Sequence, residues 1–511
     1  MTLNQWLLFA LVVQAIHFLG TWKLYQKAGR KTWEAIVPIY NAIVLMKIIN
    51  RPKWWVILFF IPVINLLLFP VVWVETARSF GRNSSSDTWL SILTLGFYVY
   101  YINYMLDVTY IENRSLKPKT EVGEWVSSIV FAIIAATIVH TYIMQPYTIP
   151  TSSLEKSLLV GDFLFVSKFH YGAKTPMTPI AAPMVHDTLP VVGIRSYLKK
   201  PLLPYFRLPG IQKIKRNEIV VFNWPTDTVQ QFFKRPDHKI VKPIDKKSNY
   251  VKRCVAIAGD SLEIHDGYIY INGQRSIMPD RAKPQFFHEV DTDGKNLTEN
   301  SLYNQYHVRR GEAYIQEGKY VLNLDEENAA KLKNNPIVKS IKRKIQPKGN
   351  AENVFPSIRK KWNRDNFGPI YIPEEGKTVS LTKESLPFYR RIITEYEHNS
   401  LKTKGEQIFI NGKIATEYTF KQNYYWMMGD NRHNSEDSRY WGYVPFDHVV
   451  GKPVFVWFSW DTYGKGMDKI RWDRLFTTVH GEGKSKSYFY YFLGVLALYF
   501  VYGKIRKRKQ A

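Results

Sequence analysis

The uneven placement of apolar residues constrains this chain most. They gather before residue 145 and again after Tyr488, and the long stretch between is polar and basic. A segment that crosses a bilayer must satisfy its own backbone polar groups, so each long apolar run is committed to helix. Leu3 to Leu19 is continuous and apolar, with Trp6 and Trp22 near its ends, the interfacial placement of a membrane helix. No basic region precedes it and further apolar runs follow, which favours a retained span over a cleavable signal peptide. Trp54 to Val74, with Pro62 and Pro70 inside it, is read as a second span, Trp89 to Leu106 as a third and Trp125 to Met144 as a fourth. Tyr488 to Tyr502 is a short fifth, followed by the basic tail Lys504-Ile-Arg-Lys-Arg-Lys509.

Orientation follows from where Lys and Arg fall. The first connection carries Lys23, Lys27, Arg30, Lys31, Lys47, Arg51 and Lys53, which places it in the cytoplasm; the second carries only Arg78 and Arg82. Arg114, Lys117 and Lys119 follow in the third. Alternating from there, the fourth span exits to the outside at Gln145, and residues 147–486 are extracytoplasmic. The expected localisation is the cytoplasmic (inner) membrane, multi-pass.

A formal charge of +26 over 511 residues implies an anionic partner, nucleic acid or lipid headgroups. The topology turns the basic polar region outward, which argues against nucleic acid and for membrane lipid. One cysteine, Cys254, excludes an internal disulfide and a multi-cysteine metal site. The twelve histidines show no HExxH or paired ligand spacing, so neither metal nor cofactor is expected.

The outer region reads as short β runs punctuated by turn dipeptides. Glu218 to Phe222, Leu262 to Ile271 with Asp266-Gly267 and Asn272-Gly273, and Gln407 to Gly412 predict a mainly β, antiparallel, barrel-like domain. A polar insert over 276–403 interrupts it. Within that insert, Lys331 to Arg364 holds eleven Lys/Arg against one acid, Glu352, either a solvated face or a contact with anionic lipid. Gly172 to Gly210 is proline-rich and aromatic, with Pro176, Pro179, Pro183, Leu202, Tyr205 and Phe206. It packs either on the membrane surface or on the barrel. The expected segments are 1–124, a membrane module; 125–145, an anchor; 146–275 and 404–486, the two parts of the β domain; 276–403, the insert; and 487–511, a final span and tail.

Three polar features carry candidate chemistry. Tyr147 to Lys168 opens as an extended strand, is fixed by Pro150 before a cluster of hydroxyls, turns at Gly161-Asp162 and closes as a second strand at Phe163 to Val166. A turn serine alone is more often structural than catalytic. Lys252 sits in the apolar strand-like run Asn249 to Ile257, where lost hydration lowers an amine's pKa and frees it to take a proton. An edge-strand lysine that deters aggregation is the rival reading. Met428 to Pro445 is a loop dense in Asp, Asn, Arg and Ser, costly to order unless its members hydrogen-bond one another.

That loop closely resembles the C-terminal box of type I signal peptidases, membrane-bound Ser-Lys proteases. The family's other boxes match here, in order, as Ile149-Pro-Thr-Ser-Ser-Leu154, Asn217-Glu-Ile-Val-Val-Phe222 and Tyr250-Val-Lys-Arg253. The likeness covers about half of the outer domain. It implies Ser153 as nucleophile and Lys252 as general base, with the oxyanion held by the Ser153 N–H and the Thr151 hydroxyl. Ser435 would orient the Lys252 amine, with Asp437, Arg439, Asp430 and Arg253 as support. Ile149, Val221 and Val251 would line pockets for small side chains at the first and third positions before the cut. The implied activity is removal of signal peptides from exported preproteins after Ala-x-Ala-type sequences.

The four N-terminal spans exceed the family's usual one or two, and a few positions depart from its boxes. Leu154-Glu155-Lys156 replaces Met-x-Pro, Ser152 replaces a common glycine, Asn217-Glu218 replaces Gly-Asp, and His433 stands where the family often has Asp. Two adjacent serines therefore compete for the nucleophile's place. Ser153-Leu-Glu-Lys156 also fits the Ser-x-x-Lys motif of penicillin-binding enzymes, but the Ser-Asp-Asn and Lys-Thr-Gly partners do not occur. A catalytically inactive membrane scaffold of the same fold is the remaining alternative.

Overall fold

The computed structural model describes residues 3–510 apart from 119, 230–239 and 357–360; Arg359 and Lys360 of the basic insert lie outside the described residues. The chain divides into two compact units. The first comprises Met1–Ile143, Lys174–Leu208 and Pro243–Lys246, and the second Met144–Ala173, Pro209–Lys242 and Lys247–Ala511.

In the first unit, two helices are long and apolar enough to cross a membrane, Asn4–Lys27 and Glu121–Ile143, and few of their residues are buried. The two expected spans between them are broken instead. Trp54 to Val74 holds the short helix Trp55–Leu58 and the start of Ile64–Ser79, parted at Pro62 and at Val63, whose φ is 71°. Trp89 to Leu106 is divided into Ser85–Leu93 and Tyr98–Tyr104 by Leu95 and Gly96, both at positive φ. A nine-residue helix rises only about 14 Å, half of a ~30 Å hydrocarbon core. These pieces pack around buried Leu24, Tyr25, Val44, Met46, Ile64, Leu68 and Ile102. The proline-rich stretch Lys174–Leu208 belongs to this unit and exposes Val191, Val192, Ile194, Leu198 and Phe206.

The second unit is mainly β. Its principal sheet has eight strands, all antiparallel: Met144–Thr148, Asp162–Ser167, Val449–Ser459, Ile219–Asn223, Asn249–Ala256, Tyr424–Met428 and Val444–Pro445 in hydrogen-bonded order, with Thr477–Thr478 also paired to Val449–Ser459. It is an open half-barrel, since its first and last strands do not pair. The expected hairpin Leu262 to Ile271 forms as Ser261–His265 and Tyr268–Ile271, with Asp266 and Gly267 both at positive φ, the backbone of a type I′ turn. The 276–403 segment shares sheets with its flanks: Phe367–Tyr371 pairs with Ser261–His265, and Thr378–Ser380 with Glu417–Thr419. Both parts build one core around Trp426, Tyr424, Ile372 and Ile392. The expected fifth span is part of the helix Phe489–Gln510. Its apolar portion ends before Lys504 and is shorter than the ~20 residues a crossing needs.

Candidate active site

Two paired strands hold the candidate nucleophile. Met144–Thr148 pairs with Asp162–Ser167, and the link between them carries the 3-10 turn Ser152–Leu154. Gly161 closes that link: its N–H donates to the Ile149 carbonyl, its φ is 91°, and a Cβ there would fall 1.9 Å from the Trp460 carbonyl oxygen. No other residue fits so close a backbone approach. The lysine lies on a central strand, with Val220 opposite Lys252 and Val221 opposite Val251.

Lys252 Nζ and Ser153 Oγ are hydrogen-bonded at 2.5 Å, 99 residues apart in sequence. Both side chains are buried. Burial pushes the Lys252 amine down to about 8, against the opposing pull of Asp437 and Glu436. An amine so placed is a base within reach of a hydroxyl, the pairing a serine nucleophile requires.

The loop 428–445 reaches back to fix the serine turn. Asn431 N–H donates to the Ser153 carbonyl at 3.0 Å, and its side-chain amide donates to the Ser152 carbonyl at 3.1 Å. Asn434 Nδ2 donates to Ser152 Oγ at 3.1 Å, so the two adjacent hydroxyls have different partners. A Cβ on Gly429 would meet Ser435 Oγ at 2.3 Å and the Ser153 carbonyl oxygen at 2.5 Å, which keeps that position side-chain-free. Asn431 and Asn434 do not stand out in the sequence, because these partners lie some 280 residues away.

Two buried ion pairs frame the site. Arg253 donates to Asp430 through Nε at 2.8 Å and Nη2 at 2.6 Å, and Ser157 Oγ donates to the same carboxylate. Arg439 pairs with Asp437, which also accepts the Gly429 N–H at 3.0 Å. The carboxyls of Asp430 and Asp437 are pushed up by burial, but the arginines beside them bring the balance below the usual range. Ser435 departs from its expected role: its Oγ is buried and makes no hydrogen bond, to Lys252 or to any other described group. The hydroxyl lies close to Gly429 and the serine turn. Thr151 is half-buried and extended, immediately before the 3-10 turn.

Ile149 and Val221 are buried and Val251 partly so, in one apolar cluster with Leu154, Leu158 and Leu164. His433 accepts the Phe287 N–H at Nδ1, leaving Nε2 to face Asp365 at 2.7 Å. A carboxylate thus stands beside this position, supplied by the 276–403 segment. Lys156, the lysine of the Ser-x-x-Lys reading, lies 3.5 Å from Asp325, and its amine makes no hydrogen bond to Ser153. Among the described residues, no three His, Cys, Asp or Glu side chains converge as metal ligands would.

A buried hydroxyl–amine pair braced by two ion pairs defines a hydrolase-type site of the serine–lysine kind. The chain belongs to the signal peptidase family, peptidase S26, whose family model matches residues 122–330 and 371–460. It is similar to signal peptidase I of Buchnera aphidicola from Acyrthosiphon pisum, 26% identical over 370 residues, 70% of this chain and 85% of that protein. Signal peptidase I of Helicobacter pylori strain 26695 is 26% identical over 377 residues, 71% and 93% of the two chains. That of Aquifex aeolicus is 24% identical over 334 residues, 64% and 80%. Residues 33–113 match a separate family of unknown function, DUF5684.

Proposed function

We propose that this chain is a signal peptidase I, a serine endopeptidase that removes N-terminal signal peptides from exported preproteins after Ala-x-Ala-type sequences. The observation that carries the reading is the hydrogen bond between Ser153 and a buried Lys252, in a chain of the signal peptidase family. With the amine neutral, the Ser153 hydroxyl gives its proton to Nζ as Oγ attacks the scissile carbonyl. The Ser153 N–H and the Thr151 hydroxyl hold the oxyanion. The protonated amine then returns the proton to the leaving nitrogen, the C–N bond breaks, and water, activated by the same amine, hydrolyses the acyl-enzyme. Ile149, Val221 and Val251 favour small side chains because a shallow apolar pocket rejects large ones by overlap.

The site belongs on the outer side of the cytoplasmic membrane. Asn4–Lys27 and Glu121–Ile143 are the crossings, and the basic connection from Lys23 to Lys53 marks the cytoplasmic side. Arg51, Arg78 and Arg114 meet at Glu75, so the broken segments 54–74 and 89–106 are read as folding back as a pair, and residue 144 emerges outside. Helix Phe489–Gln510 returns as a final span whose short apolar portion is offset by local bilayer thinning and by its basic end reaching the cytoplasmic surface. The domain boundaries expected above follow this order, with 1–124 as a membrane module and 276–403 as an insert. The exposed apolar side chains of Lys174–Leu208 contact membrane lipid. Retention of the dyad and its braces speaks against an inactive scaffold. Cleavage of an Ala-x-Ala preprotein by the purified chain, beside Ser153→Ala, tests the proposal; equal turnover by the two proteins overturns it.

A further inference from the structure

The first unit contains a charge imbalance that proteolysis does not use. Its other buried carboxylates are matched one to one: Glu34 with Arg30, and Asp87 with Arg82. Glu75, buried on helix Ile64–Ser79, is met by three guanidinium groups: Arg51 at 3.1 Å, Arg78 at 3.5 Å, and Arg114 through a hydrogen bond. Among the described residues no second carboxylate lies within 4.0 Å of any of the three. The cluster therefore holds two positive charges in excess.

The three arginines are not equivalent. Arg114 is well supplied with acceptors, donating through Nε to Ser79 Oγ at 2.9 Å and through Nη2 to the Ile49 carbonyl at 3.1 Å as well as to Glu75. Arg51 and Arg78 each keep a buried Nε with no acceptor, while 22% and 24% of their side chains remain open. Unsatisfied buried donors and like charges gathered on one carboxylate both cost free energy. An oxyanion at the exposed parts of the two guanidinium groups offsets the excess positive charge, and phosphate oxygens accept such charge-assisted hydrogen bonds. Trp54, Ile57 and Phe60, close to Arg51 in sequence, are exposed apolar side chains of the kind that sit at a bilayer interface.

We propose that Arg51 and Arg78, held in place by the Glu75–Arg114 pair, form a binding site for a phosphate group, carried by a phospholipid headgroup or as free inorganic phosphate. The site is independent of the Ser153–Lys252 chemistry.

The test uses the full-length protein in detergent, titrated separately with phosphatidylglycerol, with a phosphate-free galactolipid and with inorganic phosphate. Bound ligand is counted by native mass spectrometry and checked by thermal shift. Retention of phosphatidylglycerol but not the galactolipid, with displacement by inorganic phosphate, supports a headgroup site. Binding of inorganic phosphate without the lipid supports the site with a soluble source. Arg51→Gln/Arg78→Gln is expected to weaken binding by about tenfold or more, the loss typical of charge-assisted contacts. Arg51→Lys/Arg78→Lys, which keeps the charge, is expected to retain measurable affinity, and preprotein cleavage in detergent to be unchanged in both variants. The proposal is overturned if neither phosphate ligand binds, if the galactolipid binds as well as phosphatidylglycerol, or if a folded Gln variant binds like the wild type.

Discussion

Asn434 donates its side-chain amide to the Ser152 hydroxyl at 3.1 Å, one residue before the hydroxyl that Lys252 holds. The two serines thereby have separate partners. Ser153→Ala is expected to abolish preprotein cleavage. Ser152→Ala loses one neutral hydrogen bond, worth about 1 kcal/mol, and is expected to keep turnover within roughly tenfold of wild type. Initial rates of both variants decide this; the reverse pattern moves the nucleophile by one residue.

The base role proposed for Lys252 requires the neutral amine. With its pKa pushed from 10.5 down to about 8, the competent fraction grows as pH rises through about 8, so kcat/KM should climb there and level off above. Lys252→Arg is expected to be inactive, because guanidinium does not release its proton at these pH values. The same shift has a stability consequence. Between about 8 and 10.5 the unfolded chain binds more protons at this residue than the folded one, so stability rises with pH across that window. Lys252→Met should be more stable than wild type at pH 7, on the order of a few kcal/mol, with the gap closing toward high pH. Melting curves across pH that show a constant gap would remove the desolvated-amine argument.

Ser435 carries an unsatisfied buried hydroxyl at the site. Its buried hydroxyl lacks an acceptor in the free enzyme, so Ser435→Ala should leave stability unchanged or raise it by up to about 1 kcal/mol. If the hydroxyl turns to the amine once substrate is bound, kcat should fall by roughly tenfold or more with KM little altered. A variant with wild-type kcat would dismiss the orienting role.

The Arg253–Asp430 pair is almost wholly buried, at 3% and 0% side-chain exposure. Asp430→Leu strands the guanidinium and is expected to cost about 3–5 kcal/mol, whereas adding Arg253→Met should recover much of that loss. Denaturant titration of the single and double variants gives the comparison; additive losses would deny the pairing.

Much of the second unit was legible because its signals are local. Asp266-Gly267 and Asn411-Gly412 specify turns that need positive φ at both positions, and both form. Lys252 was legible because it stood, beside Arg253, in an otherwise apolar strand run. The interior of the first unit was not. Apolar content alone does not distinguish a crossing helix from two short ones, and the breaks at Val63 and Leu95 fall on residues with no intrinsic preference for positive φ. Ser435 was given a partner that it does not have, because a motif records which residues recur and not which hydrogen bonds the unliganded state makes. The Asn431 and Asn434 contacts, and the Asp365 carboxylate beside His433, depend on register between distant segments.

The backbone clamp on the serine turn also sets an order of events during synthesis. A nascent chain that has emerged only as far as residue 427 already contains Ser153 and Lys252, but not the Asn431 donors that fix both serine carbonyls, nor the Asp430 that neutralises Arg253. Such a chain carries its own apolar helix Glu121–Ile143 a few residues from an unfinished blade. The site as proposed is therefore complete only when the last sixth of the polypeptide arrives.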